Sequence, residues 1–504
     1  MLNTDQQQTV GVVGAGTMGR GIVQLFAAAG HRVHCVDAVP GAARDALDAV
    51  GAMFDTLVAK GRMDADAARL ARGAMSAHDD LAGLADCTLV IEAIVEDLSV
   101  KRTVFGDLER IVPREAILAT NTSSLMVSEI AAGCERPERV AGLHFFNPVP
   151  LMRVVEVIAG VRTAPDVVAR LRTLVASTGH RAIAAADQPG FVVNHAGRGL
   201  YTEGLRILEE QVCTHVEIDR VLRLSAGFRM GPFELLDLTG LDVSGRVMEA
   251  IYEQFQQEPR FRPSSLVPPR IAAGLHGRKS GEGWYRYQDC EREDAGLPAP
   301  AFPDGVSVWI DPEAPDAERL CALAGSHAVG QAEADSVLIV QPWGVDATTA
   351  ALERGLDAAR TVAVDPLPRL DRHRTAMMTA ATLPRYRDAA HAMLASGDAG
   401  VTMIADSPGF ICQRVLAVVV NIAANIAQRG IATVDDLEDA VRLGLGYPDG
   451  PLGWGDAIGP ARVLTILEGL QRVTGDPRYR PAPWLARRAR LGLSLLSPEP
   501  ARHD

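Results

Sequence analysis

Over the first two hundred residues, short β-branched runs alternate with longer amphipathic stretches, the pattern of strands connected by helices. VGVV (10–13) reads as a strand, IVQLFAAAG (22–30) as the body of a helix and RVHCVD (32–37) as a second strand ending in Asp37. CTLVIEAIVED (87–97) reads as a later strand of the same sheet, with Glu92 and Glu96 near its carboxyl end. Those two acids suit either a ligand site or a solvated strand end. LHFFNPVPLMRVVEVI (143–158) holds two apolar runs, one carrying His144 and the other Glu156. From Asp187 the spacing becomes helical, with a Pro-Gly-Phe opening, a long apolar helix, an acidic second helix and a Gly-Pro turn into a third. VLAVVVNIAANIA (415–427) is too short to span a bilayer and predicts a buried helix. RRARLGLSLL (487–496) predicts a packed amphipathic helix.

The helical pattern occurs twice. The stretch from Asp187 aligns without a gap on the stretch from Asp406, at a constant offset of 219 residues. Gly231-Pro232 falls on Gly450-Pro451, Asp237 on Asp456 and Gly240 on Gly459, so the chain contains a duplication. Upstream, Thr163-Ala-Pro matches Thr382-Leu-Pro, and DCTLVIEAIVED (86–97) resembles DSVLIVQPWGVD (335–346) at a different offset. Residues 300–405 therefore predict a shrunken relative of the first domain, with strands near 306–310, 336–341 and 361–365. In that copy Glu156 becomes Thr375, Asn194 becomes Gln413 and His144 falls on Ala363, so the second half lacks the first half's chemical groups. A charged, Pro-rich linker lies around 288–304.

Between the first strand and helix stands Gly14-x-Gly16-x-x-Gly19, with Thr17 and Met18 inside it. In that context the first glycine permits the tight turn, the second lets the backbone approach a pyrophosphate, and the third lets helix and strand pack. Asp37 is placed for the hydroxyls of an adenosine ribose and would repel a 2′-phosphate, favouring NAD over NADP. The predicted fold class is an α/β, Rossmann-type doubly wound sheet plus an all-α helical domain, followed by a degenerate, shortened repeat of the same pair. The expected domains are 1–186, 187–290, 300–405 and 406–504.

Composition narrows the class further. With 504 residues, 47% hydrophobic and 22% charged, the chain has the make-up of an ordinary globular protein. A formal charge of −13 argues against nucleic acid or an anionic membrane as partner. Seven scattered cysteines without a C-x-x-C argue against a disulfide framework or a metal site. The start, MLNTDQQQ, lacks the regions of a signal peptide, and a cytoplasmic location is expected.

His144 and Glu156 raise the question of chemistry. Each is costly to bury unpaired, and a His–carboxylate pair satisfies both while making a general base. A satisfied core histidine and an unrelated glutamate fit the local pattern too. GAGTMGRGI, IEAIVEDLSVK, TNTSSL, GLHFFNPVPLMRVVEVI, DQPGFVVN and GRKSGEGWYRY occur in one order over residues 9–287. That order resembles the (S)-3-hydroxyacyl-CoA dehydrogenase family, in its long bacterial form with a duplicated C-terminal domain. The resemblance implies reversible hydride transfer between NAD and C3 of a 3-hydroxyacyl-CoA, in fatty-acid or phenylacetate-type aromatic catabolism.

It implies His144 as catalytic histidine, Glu156 as its acidic partner, and Ser123 and Asn194 as polar groups at the reacting oxygen. It places Asp37, Glu96, Lys101, Asn147 and Lys279 around NAD beside the glycine loop, and Lys60 at coenzyme A. Met53 stands where the family has a serine beside the CoA, which weakens that headgroup contact. No added hydratase domain is expected, since the repeat accounts for the rest of the sequence. The helical copies are expected to pair as an internal pseudo-dimer, in a monomer or homodimer. The alternatives are a CoA-independent 3-hydroxyacid or sugar-acid dehydrogenase of the same plan, and a non-catalytic dinucleotide-binding protein.

Overall fold

A computed structural model describes residues 7–287 and 298–499; residues 288–297 of the expected linker lie outside the described residues. Contacts divide the chain into two compact units, Met1–His195 with Arg429–Leu445, and Ala196–Gln428 with Gly446–Asp504.

The first unit is built on eight strands: β1 Thr9–Val13, β2 Arg32–Val36, β3 Met75–His78, β4 Leu89–Glu92, β5 Ile117–Thr120, β6 Val140–Phe145, β7 Val154–Ala159 and β8 Arg181–Ala186. They lie in the order β3-β2-β1-β4-β5-β6-β7-β8, parallel except for the antiparallel pair β6–β7. Central strands covered by helices must be apolar on both faces, and β4, β5 and β6 are buried throughout. Val12, Ile22, Phe26, Ile91, Leu143 and Phe145 form part of one core. The strand order reverses between β1 and β4, and the carboxyl ends flanking such a reversal form a ligand crevice. The strand expected over 87–97 stops at Glu92, which is fully buried rather than solvated.

Residues 429–445 of the second helical copy belong to this unit. They comprise the helix Val434–Ala440, N-capped by Thr433, and a π-helical turn, Val441–Leu445. They cover edge strand β8: Ala186 N–H donates to Ile431 O at 2.8 Å, and Ala184 N–H to Asp436 Oδ2 at 3.2 Å. Arg181 pairs with Asp436 (2.8 Å) and Asp439 (2.7 Å). An edge covered in this way offers no row of bare N–H and C=O groups to another chain.

The second unit holds a six-stranded sheet: β9 Ser307–Ile310, β10 Ala328–Val329, β11 Ser336–Val340, β12 Thr361–Val364, β13 Arg374–Met378 and β14 Val401–Ile404, in the order β10-β9-β11-β12-β13-β14. The three expected strands are present; β10, β13 and β14 were not foreseen. β12–β13 is antiparallel, like β6–β7. The structure corrects two correspondences. Asp406 accepts the N–H of Ala347 and Thr348 at the start of a helix, as Asp187 does for Val127 and Ser128, so β11 is the counterpart of β5 and not of 86–97. Asp365 N–H donates to Thr375 O, so the residue facing Thr375 across the strands, as His144 faces Glu156, is Asp365 rather than Ala363.

In the same unit the helix Ile411–Gln428 is buried along most of its length and packs on the helix His215–Ala226. Val419 meets Gly199. Arg414, fully buried, pairs with Glu203 and Glu210 (both 2.7 Å) and donates to Tyr479 Oη at 3.0 Å. Ala405 N–H donates to Val212 O at 3.0 Å. The helix expected at 487–496 is instead Pro483–Leu491, because Gly492 adopts a left-handed conformation and ends it.

Candidate active site

The glycine loop follows β1. Gly14 has φ 106°, and its N–H donates to Val36 O at 2.8 Å; a Cβ there would lie 2.5 Å from Ala93 O. A Cβ on Gly19 would lie 1.8 Å from Gly14 O, so only glycine lets the helix Thr17–Ala28 approach β1 this closely. Gly16 differs: a Cβ there would meet nothing within 4 Å. Gly16 is the N-cap, no side chain caps the helix, and Thr17 is exposed while Met18 is half-buried. The free N–H groups and the dipole at this end suit a pyrophosphate, so the residues present fit a dinucleotide. Asp37 accepts Ala15 N–H (2.7 Å) through Oδ2 and Val39 N–H (2.8 Å) through Oδ1, which fixes its carboxylate beside the loop.

At the carboxyl ends of β4 and β5 lies a charged network. Lys101, 1% exposed, pairs with fully buried Glu92 at 2.6 Å and with Glu96 at 3.3 Å. Glu92 also accepts from Thr120 Oγ1 and Ile94 N–H, both at 2.8 Å. Glu96 accepts from Thr122 Oγ1 (2.6 Å), Ser123 N–H (3.0 Å) and Ser124 N–H (3.1 Å). Burial alone would raise the Glu96 carboxyl, but the Thr122 bond, the Lys101 charge and the serine loop hold it below the ordinary range.

His144 and Glu156 face each other across β6 and β7, and His144 Nδ1 lies 2.7 Å from Glu156 Oε2. The other carboxylate oxygen accepts Val192 N–H (2.8 Å) and Val193 N–H (2.9 Å). Gly190 (φ 70°) and Phe191 (φ 48°) precede these donors in left-handed conformations, turning successive N–H groups toward one anion. Gly409 (φ 76°) and Phe410 (φ 53°) repeat that bend in the second copy. The His144 ring packs on Phe146 (4.4 Å between centroids) and Phe191 (5.8 Å). With Nδ1 donating to a carboxylate, Nε2 is left as the basic nitrogen.

Asn194 follows Val193 in the first turn of the helix Val193–Glu209 and is half-buried. Ser123 lies on the loop after β5, its N–H on Glu96. Asn147 is exposed on the loop after β6. Lys60 is the exposed C-cap of the helix Ala42–Ala59, which also carries Met53, 40% exposed. Lys279 belongs to the second unit, paired with Asp242 at 2.5 Å. Sequence reasoning missed Asn121, whose Oδ1 accepts Phe145 N–H (2.8 Å), Thr122, and the Val192 and Val193 N–H donors. Their signal was position only, inside TNTSSL and PGFVV. Among the described residues no cluster of side chains suits a metal ion.

The second sheet carries different groups at the matching places. Asp365 Oδ1 accepts from Gln413 Nε2 at 2.9 Å, and Gln413 Oε1 accepts Gly344 N–H at 2.8 Å. Asp365 Oδ2 and Thr375 Oγ1 are buried without a hydrogen-bond partner. Burial pushes the Asp365 carboxyl up to about 7.

Comparison with known proteins places the chain in a family. The family model of the 3-hydroxyacyl-CoA dehydrogenase NAD-binding domain matches residues 9–188. That of the C-terminal domain matches twice, at 190–287 and 409–494. The chain is 38% identical to the 3-hydroxyadipyl-CoA dehydrogenase of Escherichia coli over 96% of this chain and 98% of that protein. It is 38% identical to the 3-hydroxybutyryl-CoA dehydrogenase of Clostridioides difficile over 55% of this chain and 98% of that one. A crystal structure of 3-hydroxybutyryl-CoA dehydrogenase from Escherichia coli K12 superposes with a TM-score of 0.87 at 36% identity, covering 97% of this chain and 99% of the other. The chain belongs to the 3-hydroxyacyl-CoA dehydrogenase family, and is an oxidoreductase that uses NAD.

Proposed function

We propose that this enzyme interconverts (S)-3-hydroxyacyl-CoA and 3-oxoacyl-CoA thioesters, with His144 as the acid–base and Glu156 as its orienting partner. The observation that carries the reading is the 2.7 Å contact from His144 Nδ1 to a carboxylate held by two backbone N–H groups. NAD, when bound, accepts hydride from C3 or returns it. In oxidation His144 Nε2 takes the hydroxyl proton, and the buried Glu156 carboxylate stabilises the imidazolium that forms. In reduction the same nitrogen gives the proton back to the C3 oxygen. Ser123 and Asn194 donate hydrogen bonds to that oxygen as its charge changes. Phe146 and Phe191 shield the imidazole from water.

The glycine loop, Asp37, Glu96, Lys101 and Asn147 hold NAD, and Lys60 meets the CoA. The likeness to a protein named for 3-hydroxyadipyl-CoA favours a substrate ending in a carboxylate. The same reading carries the four domains expected from sequence, a cytoplasmic setting, fatty-acid or aromatic breakdown, and a monomer or homodimer.

The test is NADH oxidation with acetoacetyl-CoA, longer 3-oxoacyl-CoAs, 3-oxoadipyl-CoA and the corresponding free acids. Thioesters should be reduced and free acids not, and His144→Ala should lower turnover by about 10²–10⁴-fold with NADH binding retained. Equal efficiency on free acids would support a CoA-independent dehydrogenase instead.

A further inference from the structure

Glu156 is supported from behind by a residue almost three hundred positions further on (Gly444). Val193, whose N–H holds Glu156 Oε1, and Val154, two residues before Glu156 on β7, both face Gly444. A Cβ on Gly444 would stand 2.9 and 3.0 Å from the two Cγ atoms of Val193, and 3.4 Å from Cγ1 of Val154. Valine is stiff at χ1, so its methyl groups yield to bulk here only through a disfavoured rotamer or a backbone shift. Gly444 is not among the glycines with positive φ, so space rather than backbone conformation demands it. It sits in the π-helical turn Val441–Leu445, and such turns are frequent at functional sites. The segment is fixed on the sheet by Ile431, Asp436 and Asp439.

The first copy makes the matching contact differently. At the offset of 219, Gly444 corresponds to Ser225 and Val154 to His373, and Ser225 Oγ donates to His373 O at 2.9 Å. The brace exists in both copies, and it is a glycine where the sheet carries the His–Glu pair.

We infer that Gly444 is a positioning residue for His144 and Glu156, so that the second half of the chain sets the carboxylate that orients the acid–base. The inference rests on the acid–base reading above. Bulk at 444 displaces Val193, lengthens its bond to Glu156 Oε1 and frees the carboxylate that holds His144 Nδ1. The glycine loop and Asp37 have their own supports and stay in place.

The experiment compares Gly444→Ala and Gly444→Val with the parent chain, using acetoacetyl-CoA and NADH, with NADH binding followed by fluorescence. For displacements near an ångström, kcat should fall about 10-fold and about 100-fold respectively, with KM and NADH affinity almost unchanged. The alkaline limb of the kcat profile for reduction should move to lower pH, because an imidazolium that loses its carboxylate loses its proton more easily. In a Glu156→Gln background, Gly444→Ala should add less than about twofold, as for two changes acting through one interaction. Val193→Ala should restore kcat to Gly444→Ala, and this pair remains informative if Gly444→Val does not fold. Unchanged kcat in Gly444→Ala, full additivity with Glu156→Gln, or parallel loss of NADH binding would overturn the inference. If His144→Ala is inactive and the Gly444 variants are normal, this inference alone falls. If His144→Ala is active, the acid–base reading falls with it.

Discussion

Ala186 donates its backbone N–H to the carbonyl of Ile431 at 2.8 Å, closing the edge of the eight-stranded sheet with residues from the second helical copy. The bond recurs with both partners displaced by 219: Ala405 N–H to Val212 O, at 3.0 Å. Each sheet's last strand is therefore capped by the helical copy that does not follow it in sequence.

A chain ending at residue 287 lacks Ile431 and Asp436, so the N–H groups of Ala184 and Ala186 and the Arg181 guanidinium lose their partners. Such a chain should dimerise or aggregate through the bared β8 edge and apolar helix faces, although His144 and Glu156 remain. Light scattering on a sizing column checks this; a soluble, fully active monomer would sink it.

Lys101 is buried between Glu92 and Glu96. Lys101→Met removes the cation and leaves the carboxylates facing each other, which should cost about 3–5 kcal/mol, the usual penalty for breaking a buried pair. Urea unfolding reads the loss directly. A midpoint equal to that of the parent would mean that water already solvates the pair.

Asp37→Ala removes an acceptor of the Ala15 N–H and the carboxylate that repels a 2′-phosphate. NAD binding should weaken and the gap to NADP should narrow. Measuring kcat/KM with both cofactors decides it, and a parent enzyme without cofactor preference would refute the role of the carboxylate.

Asp365, raised to about 7 in the fold by burial, titrates near 3.9 when unfolded. Between those values the folded chain holds a proton that the unfolded chain has lost. This contribution to stability is complete below about pH 4 and is lost as pH rises to about 7. Asp365→Asn should flatten the fall in melting temperature between pH 5 and pH 8. It should not abolish it, because burial also raises Asp219 to about 7. A slope identical to that of the parent would show that Asp365 stays ionised.

The parts legible in the sequence were those set by local periodicity. Gly14, Gly16 and Gly19 lie within one strand–turn–helix. The pairing of His144 with Glu156 was legible only through the resemblance of the surrounding motifs, because local pattern also fits a core histidine until β6 and β7 pair antiparallel and set the two face to face. Glu92 was ambiguous because a strand-end acid resembles a solvated one until the topology brings Lys101 and Thr120 to it. β13 and β14 were hidden by Arg374, Thr375 and Thr402, polar groups that break the apolar pattern of a buried strand. The register of Asp365 slipped because the shorter copy changes its offset ahead of β13, and only strand pairing with Thr375 restores it. Nothing in the pattern of residues 429–445 indicates which sheet they cover; that is a matter of topology rather than periodicity.

In an assembly of two identical chains every substitution appears twice, and neither brace can change without the other. Here the two braces are encoded separately, and they have already diverged: Ser225 supports a strand bearing Thr375, while Gly444 supports one bearing Glu156. A substitution in 210–226 reaches the sheet that carries Asp365 and Thr375, whereas one in 429–445 reaches the strand that carries Glu156. Tolerance to mutation along this chain should follow which sheet a segment touches rather than which half of the sequence it occupies.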